Sequence, residues 1–259
     1  MTTKLFAAMM FFVFSLPFDV SAQTSFNRSA QPTQHVRPFI TDDARVVGNR
    51  LTQIESWYRQ DKFGIEQWVL AAYGPARWLE LTLGGVFGAE RLPTANEFTF
   101  GFPLVQAKFL FKNYLPYELP GIGLVVGSFL PSGSGALKPE GYGAFSFLTI
   151  TQCFGKLDDV LLHFNLGTNY LDGSLAEKWL LTWGFGTQLR TLGSFHLVIE
   201  VFSGDPYVPG SGLSYQVGFR HFFSDDIQID GTFGKGIGGD KPLPIWFSFG
   251  IRLVFHTFE

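Results

Sequence analysis

The sequence predicts an all-β fold, a transmembrane antiparallel β-barrel of about 12 strands with both termini in the periplasm. Three observations carry that expectation. They are an export signal at the start of the chain, an apolar composition with no membrane helix in the remainder, and a two-residue alternation renewed about every ten residues.

The export signal opens with Lys4, followed by an almost unbroken apolar stretch from Leu5 to Leu16. Val20-Ser21-Ala22 then places small or modest side chains before Gln23, as signal peptidase requires. The apolar stretch is shorter than the roughly 20 residues that cross a bilayer core as a helix. Residues 1–22 are therefore expected to be a signal peptide, 23–49 a polar periplasmic arm or lumen plug, and 50–259 the barrel. No Cys follows Ala22 to take a lipid anchor.

The chain of 259 residues is 46% hydrophobic and 17% aromatic, and only 16% charged, against about 25% charged in soluble domains. Its 30 Phe and 30 Gly suit neither a helical bundle nor a soluble enzyme core. The net charge of −3 argues against a nucleic-acid partner. Cys153 is the single cysteine, so no intrachain disulfide framework exists. After the signal no apolar run reaches the roughly 18 residues of a membrane helix. An exported, apolar chain without such helices crosses a bilayer only as a closed barrel, which satisfies its backbone polar groups between strands.

Strands are expected to begin near Leu51, Gly64, Trp78, Val105, Gly121, Gly143, Val160, Trp179, Phe195, Leu213, Ile227 and Ile245. The alternation is clearest in the second half. Leu162, Phe164 and Leu166 oppose His163, Asn165 and Gly167; Leu197, Ile199 and Val201 oppose His196, Val198 and Glu200; Phe247, Phe249 and Ile251 oppose Ser248, Gly250 and Arg252. One face is large and apolar, the other Gly, Ser, Thr, Gln and scattered charge. A soluble barrel would carry its charge outside, so the apolar face is read as facing lipid. Longer connections such as Gly88 to Pro103 and Ser203 to Gly212 alternate with short ones such as Thr191 to Ser194, as outer loops alternate with periplasmic turns. Lys112 to Pro120 breaks the pattern, being long and proline-rich where a short turn is due. Aromatics near strand ends (Trp57, Tyr58, Trp78, Tyr142, Trp179, Trp246, Phe222 and Phe223) are read as interfacial girdles.

The final strand, Phe247 to Phe255, alternates in the same way and resembles the terminal signal recognised by barrel-assembly machinery. His256-Thr257-Phe258-Glu259 follow it, and face parity assigns the signal aromatic to Phe255. The segment Arg37-Pro38-Phe39-Ile40-Thr41-Asp42-Asp43, with Gln53-Ile54-Glu55 opening the first strand, resembles the family called putative MetA-pathway of phenol degradation. Where that family has a Gly/Pro-rich turn after the acidic pair, this chain has Ala44-Arg45-Val46-Val47. The resemblance implies an outer-membrane transporter-like barrel, with hydrophobic or aromatic compounds as its solutes.

By parity the inner face carries Glu55, Arg59, Glu80, Gln106, Lys108, His163, Arg190, His196, Glu200, Arg220, Asp230 and Arg252. Mixed charge of this kind either sets the selectivity of a solute-binding pore or fills a closed barrel with ion pairs. Asp42 and Asp43 are expected to tuck into the lumen against Arg59, Arg190, Arg220 or Arg252, or else to cap a periplasmic turn. The expected function is diffusion of small solutes through the lumen. The expected partners are outer-membrane lipid, the barrel-assembly machinery and a small-molecule solute, with no cofactor, metal or catalytic residue. The alternatives are a closed barrel acting as a lipid hydrolase-like enzyme and a structural or adhesive surface protein. His163 and Asn165 with Ser146, Ser214 or Ser248 supply the residue types of a hydrolase, but no Gly-x-Ser-x-Gly elbow is present. Gly234 to Gly239 lacks the helix that a phosphate-binding loop requires. Asp158-Asp159 and Asp225-Asp226 are read as turn residues.

Overall fold

Residues 40–91, 96–155, 158–172, 179–205, 208–239 and 242–257 are described by the computed structural model. The expected signal peptide and the first part of the arm lie outside these residues. Thirteen strands follow in order: β1 (Leu51–Asp61), β2 (Gly64–Ala76), β3 (Leu79–Arg91), β4 (Asn96–Lys112), β5 (Gly121–Phe129), the two-residue β6 (Gly133–Ser134), β7 (Gly143–Phe154), β8 (Val160–Leu171), β9 (Trp179–Leu192), β10 (Phe195–Asp205), β11 (Val208–Phe222), β12 (Ile227–Gly236) and β13 (Trp246–His256). Each long strand pairs antiparallel with its neighbours. β1 meets β13 from Leu51↔His256 to Asp61↔Trp246, and β3 meets β4, so the sheet closes. The result is a closed barrel of twelve long strands, with β6 attached to β4 alone. Closure pairs the backbone groups that an open edge would leave bare in lipid.

Two strands start earlier than the sequence suggests, β4 at Asn96 rather than Val105 and β11 at Val208 rather than Leu213. Pro103 and Pro209 read as breakers, but the ladder absorbs Pro103 in a register shift between Gly84 and Val86, the usual place for proline in a sheet. The connections Gly88 to Pro103 and Ser203 to Gly212 consequently shrink to 92–95 and 206–207. The irregular Lys112 to Pro120 connection now has a cause. Tyr114 turns inward (2% exposed) against Cys153 and Leu161, while Leu115 bridges Leu119.

The outer surface is apolar at mid-strand, where Leu83, Leu148, Phe164, Leu166, Phe185, Ile199 and Phe249 are all exposed. Apolar area left in water costs about 25 cal/mol per Å², and a belt of this extent is matched only by hydrocarbon. No helix among the described residues is long and apolar enough to cross a membrane. Trp78, Tyr142, Trp179 and Phe223 lie exposed near strand ends, as girdles do. Trp57 and Trp246 do not belong to that belt. Both face inward, Trp57 stacking on Trp68 at 5.6 Å and Trp246 only 4% exposed. Parity with Glu55 and Arg59 places Trp57 inside, so its position near a strand end misleads.

The interior is less uniformly polar than expected. Trp68, Leu70, Val86, Leu104, Val125, Phe145 and Phe147 form one buried apolar cluster on β2 to β7. Strands β5 and β7 carry apolar residues on both faces, which hides their period.

Candidate functional site

The N-terminal arm runs along the inside of this barrel. Thr41 to Val47 are all buried, although the arm pairs with no strand. Its backbone groups therefore need partners from the wall, and inward side chains supply them strand by strand. Glu200 on β10 accepts from the Ile40 and Thr41 amides at 3.0 and 2.8 Å. The Asn165 carboxamide on β8 accepts from the Asp42 amide at 2.7 Å and donates to the Asp42 carbonyl at 2.8 Å. On β7 the Thr149 hydroxyl donates to that carbonyl at 2.7 Å, and the Thr151 hydroxyl accepts from the Ala44 amide at 2.9 Å. Glu80 on β3 accepts from the Val47 amide at 2.7 Å. Wall glycines make room for this path: a Cβ on Gly184 would lie 2.5 Å from Thr41 Oγ1, and one on Gly74 would lie 1.8 Å from the Gly48 carbonyl oxygen.

The acidic pair finds its cations on this same side. Lys108 Nζ lies 3.0 Å from Asp42 and 3.6 Å from Asp43. Arg45 grips Asp43 through Nε and Nη2 at 3.0 and 2.8 Å, and its backbone amide donates to the other oxygen at 2.8 Å. Burial opposes ionisation of Asp43, but the charges of Arg45, Lys108 and His163 and the Arg45 hydrogen bonds outweigh it and hold the carboxyl well below its ordinary 3.8. Arg45 also reaches Asp158 at 3.1 Å, and the Tyr114 hydroxyl donates to Asp158 at 2.8 Å. Burial, with Asp158 adding to it, pushes the Tyr114 phenol above its ordinary 10.0. Tyr114 in the long β4–β5 connection and Asp158 between β7 and β8 thus tie down the arm at Arg45.

Asp42 and Asp43 are both buried, with Lys108 3.0 Å from Asp42 and Arg45 2.8 Å from Asp43. The arm meets the wall at β3, β7, β8 and β10 and carries its own cation, Arg45, two residues after Asp43. Arg59 meets Glu66 at 3.6 Å and Asp205 at 3.9 Å, with its guanidinium 4.9 Å from the centre of the Trp246 ring. Arg190 lies at the rim, donating to the Gly193 carbonyl at 2.6 Å with Asp159 3.7 Å away. Arg220 donates to Gln188 at 2.7 Å and stands in register with Asp230. Arg252 donates to Gln53 at 3.4 Å and to the Asp225 carbonyl at 3.1 Å, in register with Glu55. Glu55, Glu80, Lys108, His163, His196, Glu200, Arg220 and Arg252 are all buried, and Gln106 lines a cavity beside Lys108. Phe255 points outward, 48% exposed.

The hydrolase constellation is not brought together. The His163 Nδ1 meets Thr151 Oγ1 at 3.0 Å, Asn165 is taken up by Asp42, Ser214 donates to the Gly212 carbonyl and Ser248 pairs with Thr232. Among the described residues no group of His, Cys, Asp or Glu forms a metal-binding cluster.

Sequence reasoning missed Arg45, Thr149, Thr151, Tyr114 and the lumenal tryptophans. Face parity with Glu55 offered a signal for Trp57, and the Asp43/Arg45 spacing one for Arg45; nothing local marks Tyr114.

The wall and the barrel mouth enclose three cavities. The first, of about 360 Å³, is lined by Phe102, Leu104, Phe129, Leu137 and Trp68. Trp68 also borders the second, of about 80 Å³, with Trp57, Arg59, Trp246, Gln228, Asp230, Arg252 and Glu55. Glu55 in turn borders the third, of about 30 Å³, with Asp42, Asp43, Glu80, Gln106 and Lys108.

No family model matches the chain, and no curated protein does. Solved structures do match. The COG4313 outer membrane channel from Pseudomonas putida F1 superposes with a TM-score of 0.62 at 11% identity, over 82% of this chain and 98% of that one. The KdgM porin gives 0.56 at 12% identity over 79% and 99%, and KdgM in complex with disordered oligogalacturonate gives 0.56 at 13% over the same shares. At such identities the likeness is one of fold, that of outer-membrane barrel channels.

Proposed function

We propose that this protein is an outer-membrane channel through which small solutes diffuse down their gradients, with the arm narrowing the lumen. The observation that carries the reading is the set of three cavities in a closed barrel whose outer surface is apolar. The inward charges Glu55, Arg59, Lys108, Asp230 and Arg252 border two of those cavities and would set the selectivity of a passage through them. Asp42 and Asp43 are the pins that hold the constriction. Both termini face the periplasm in this reading, and Phe255 serves as the aromatic that barrel-assembly machinery recognises. The protein carries out no catalysis. The resemblance of Arg37 to Asp43 to the MetA-pathway family, and the apolar lining of the first cavity, favour hydrophobic or aromatic solutes. Similarity to the COG4313 channel and to KdgM supports a channel over an adhesin.

Proteoliposome swelling tests the reading. Vesicles containing the refolded barrel are expected to admit small neutral sugars and aromatic alcohols faster than empty vesicles. Swelling equal to that of empty vesicles, with folding confirmed by heat-modifiable migration, would refute it.

A further inference from the structure

The middle cavity already holds a cation supplied by the chain itself. The Arg59 guanidinium lies 4.9 Å over the Trp246 ring, with Glu66 and Asp205 at 3.6 and 3.9 Å. An indole face edged by carboxylates is the arrangement that holds a delocalised or quaternary cation. The same wall continues with Trp57 and Trp68, stacked at 5.6 Å and 9°, and with Glu55 and Asp230. Gln228 adds an independent sign. It is 1% exposed and borders this cavity, its Nε2 donates to Asp230 at 3.3 Å, and its Oε1 has no partner among the described residues. A buried acceptor of this kind calls for a donor. Arg252 borders the same cavity, but its Nη1 and Nη2 are directed to Gln53 and to the Asp225 carbonyl, and Glu55 stands in register with it.

The charge around the three cavities points the same way. The described residues lining the three cavities include nine carboxylates against five lysines and arginines. Between low-dielectric walls such an excess concentrates cations and repels anions.

We infer that the middle cavity binds small organic cations, ammonium or guanidinium groups on a compact apolar body, and that the lumen prefers cations to anions. The preference rests on the channel reading; the binding site does not.

Choline serves as the probe for the refolded mature chain. Its binding is read by tryptophan fluorescence in detergent micelles, and its effect on current by planar-bilayer recording across a KCl gradient. The expected results are cation-selective currents, choline block and a saturable fluorescence change. Asp230→Asn and Trp246→Leu should each raise the half-saturating choline concentration about tenfold. Because Trp246→Leu also removes packing against Phe202, Asp230→Asn is the decisive variant. Saturable choline binding lost in Asp230→Asn, from a barrel that never conducts, would support the site while overturning the channel. Anion-selective currents with no choline effect on either readout would overturn this inference and leave the channel standing. Silence in both experiments would overturn both.

Discussion

Lys108 is the side chain on which the arm most depends. The residue is 4% exposed, and its ammonium is shared between Asp42 and Asp43. Removing one member of a buried ion pair costs about 3–5 kcal/mol, because the other charge is left uncompensated. Lys108→Met is therefore expected to release the arm while the barrel stays closed, and trypsin cleavage after Arg45 should accelerate many-fold. An unchanged cleavage rate would mean that the backbone bonds to Glu200, Thr151 and Glu80 suffice alone. The pH dependence has a definite sign. Asp43 is held below its ordinary 3.8 by Arg45 and Lys108 against the opposing effect of burial. A depressed carboxyl contributes stability that is fully present above its unfolded value and is lost as pH falls towards the folded one. Hydrogen exchange of the Asp42 to Arg45 amides should consequently show no loosening from this group between about pH 7 and pH 5, and should begin to show it only below about pH 4. Loosening centred near pH 6 would assign control to another group.

At the scale of the element, the strands were legible because lipid on one side and a lumen on the other force a strict period of two. Ten of the twelve long strands begin within one residue of the expected position, and the two exceptions turn on Pro103 and Pro209. Parity also put Glu80, Lys108, His163, Glu200, Arg220 and Arg252 inside, where they are buried. The pairing of those charges was not legible. Which wall the arm follows depends on long-range shape, chiefly the glycines that leave it space and the acceptors Glu200 and Glu80 more than thirty positions away in sequence. The apolar cluster around Val125 and Phe147 escaped notice because a strand that is apolar on both faces has no visible period. Gly184 offers a test of the arm's path at this scale. Gly184→Leu would drive a side chain into Thr41, so the arm is expected to leave β9 and become accessible to trypsin after Arg45. Heat-modifiable migration should stay intact, since the substitution adds no charge and removes no ladder bond. An undisturbed arm would place Thr41 elsewhere.

The whole molecule is defined by an apolar belt around a closed ladder. Leu166, near the middle of β8, is 45% exposed on that belt. Leu166→Arg is expected to cost about 2–4 kcal/mol, the price of a cation near the bilayer midplane, and folding titrations in lipid vesicles would read it. A cost near zero would place that face in water and undo the transmembrane assignment. Inside the belt Thr41 to Val47 lie buried, and Glu55, Asp230, Arg252 and the lumenal tryptophans border a cavity along β1 and β11 to β13. The most direct test of this account is single-channel conductance in planar bilayers, comparing the mature chain with one lacking Gln23 to Asp43. Small, stable steps from the first and clearly larger steps from the second are predicted. Equal conductance in the two would contradict the arm as the constriction, and no conductance from either, with folding confirmed, would contradict the channel itself.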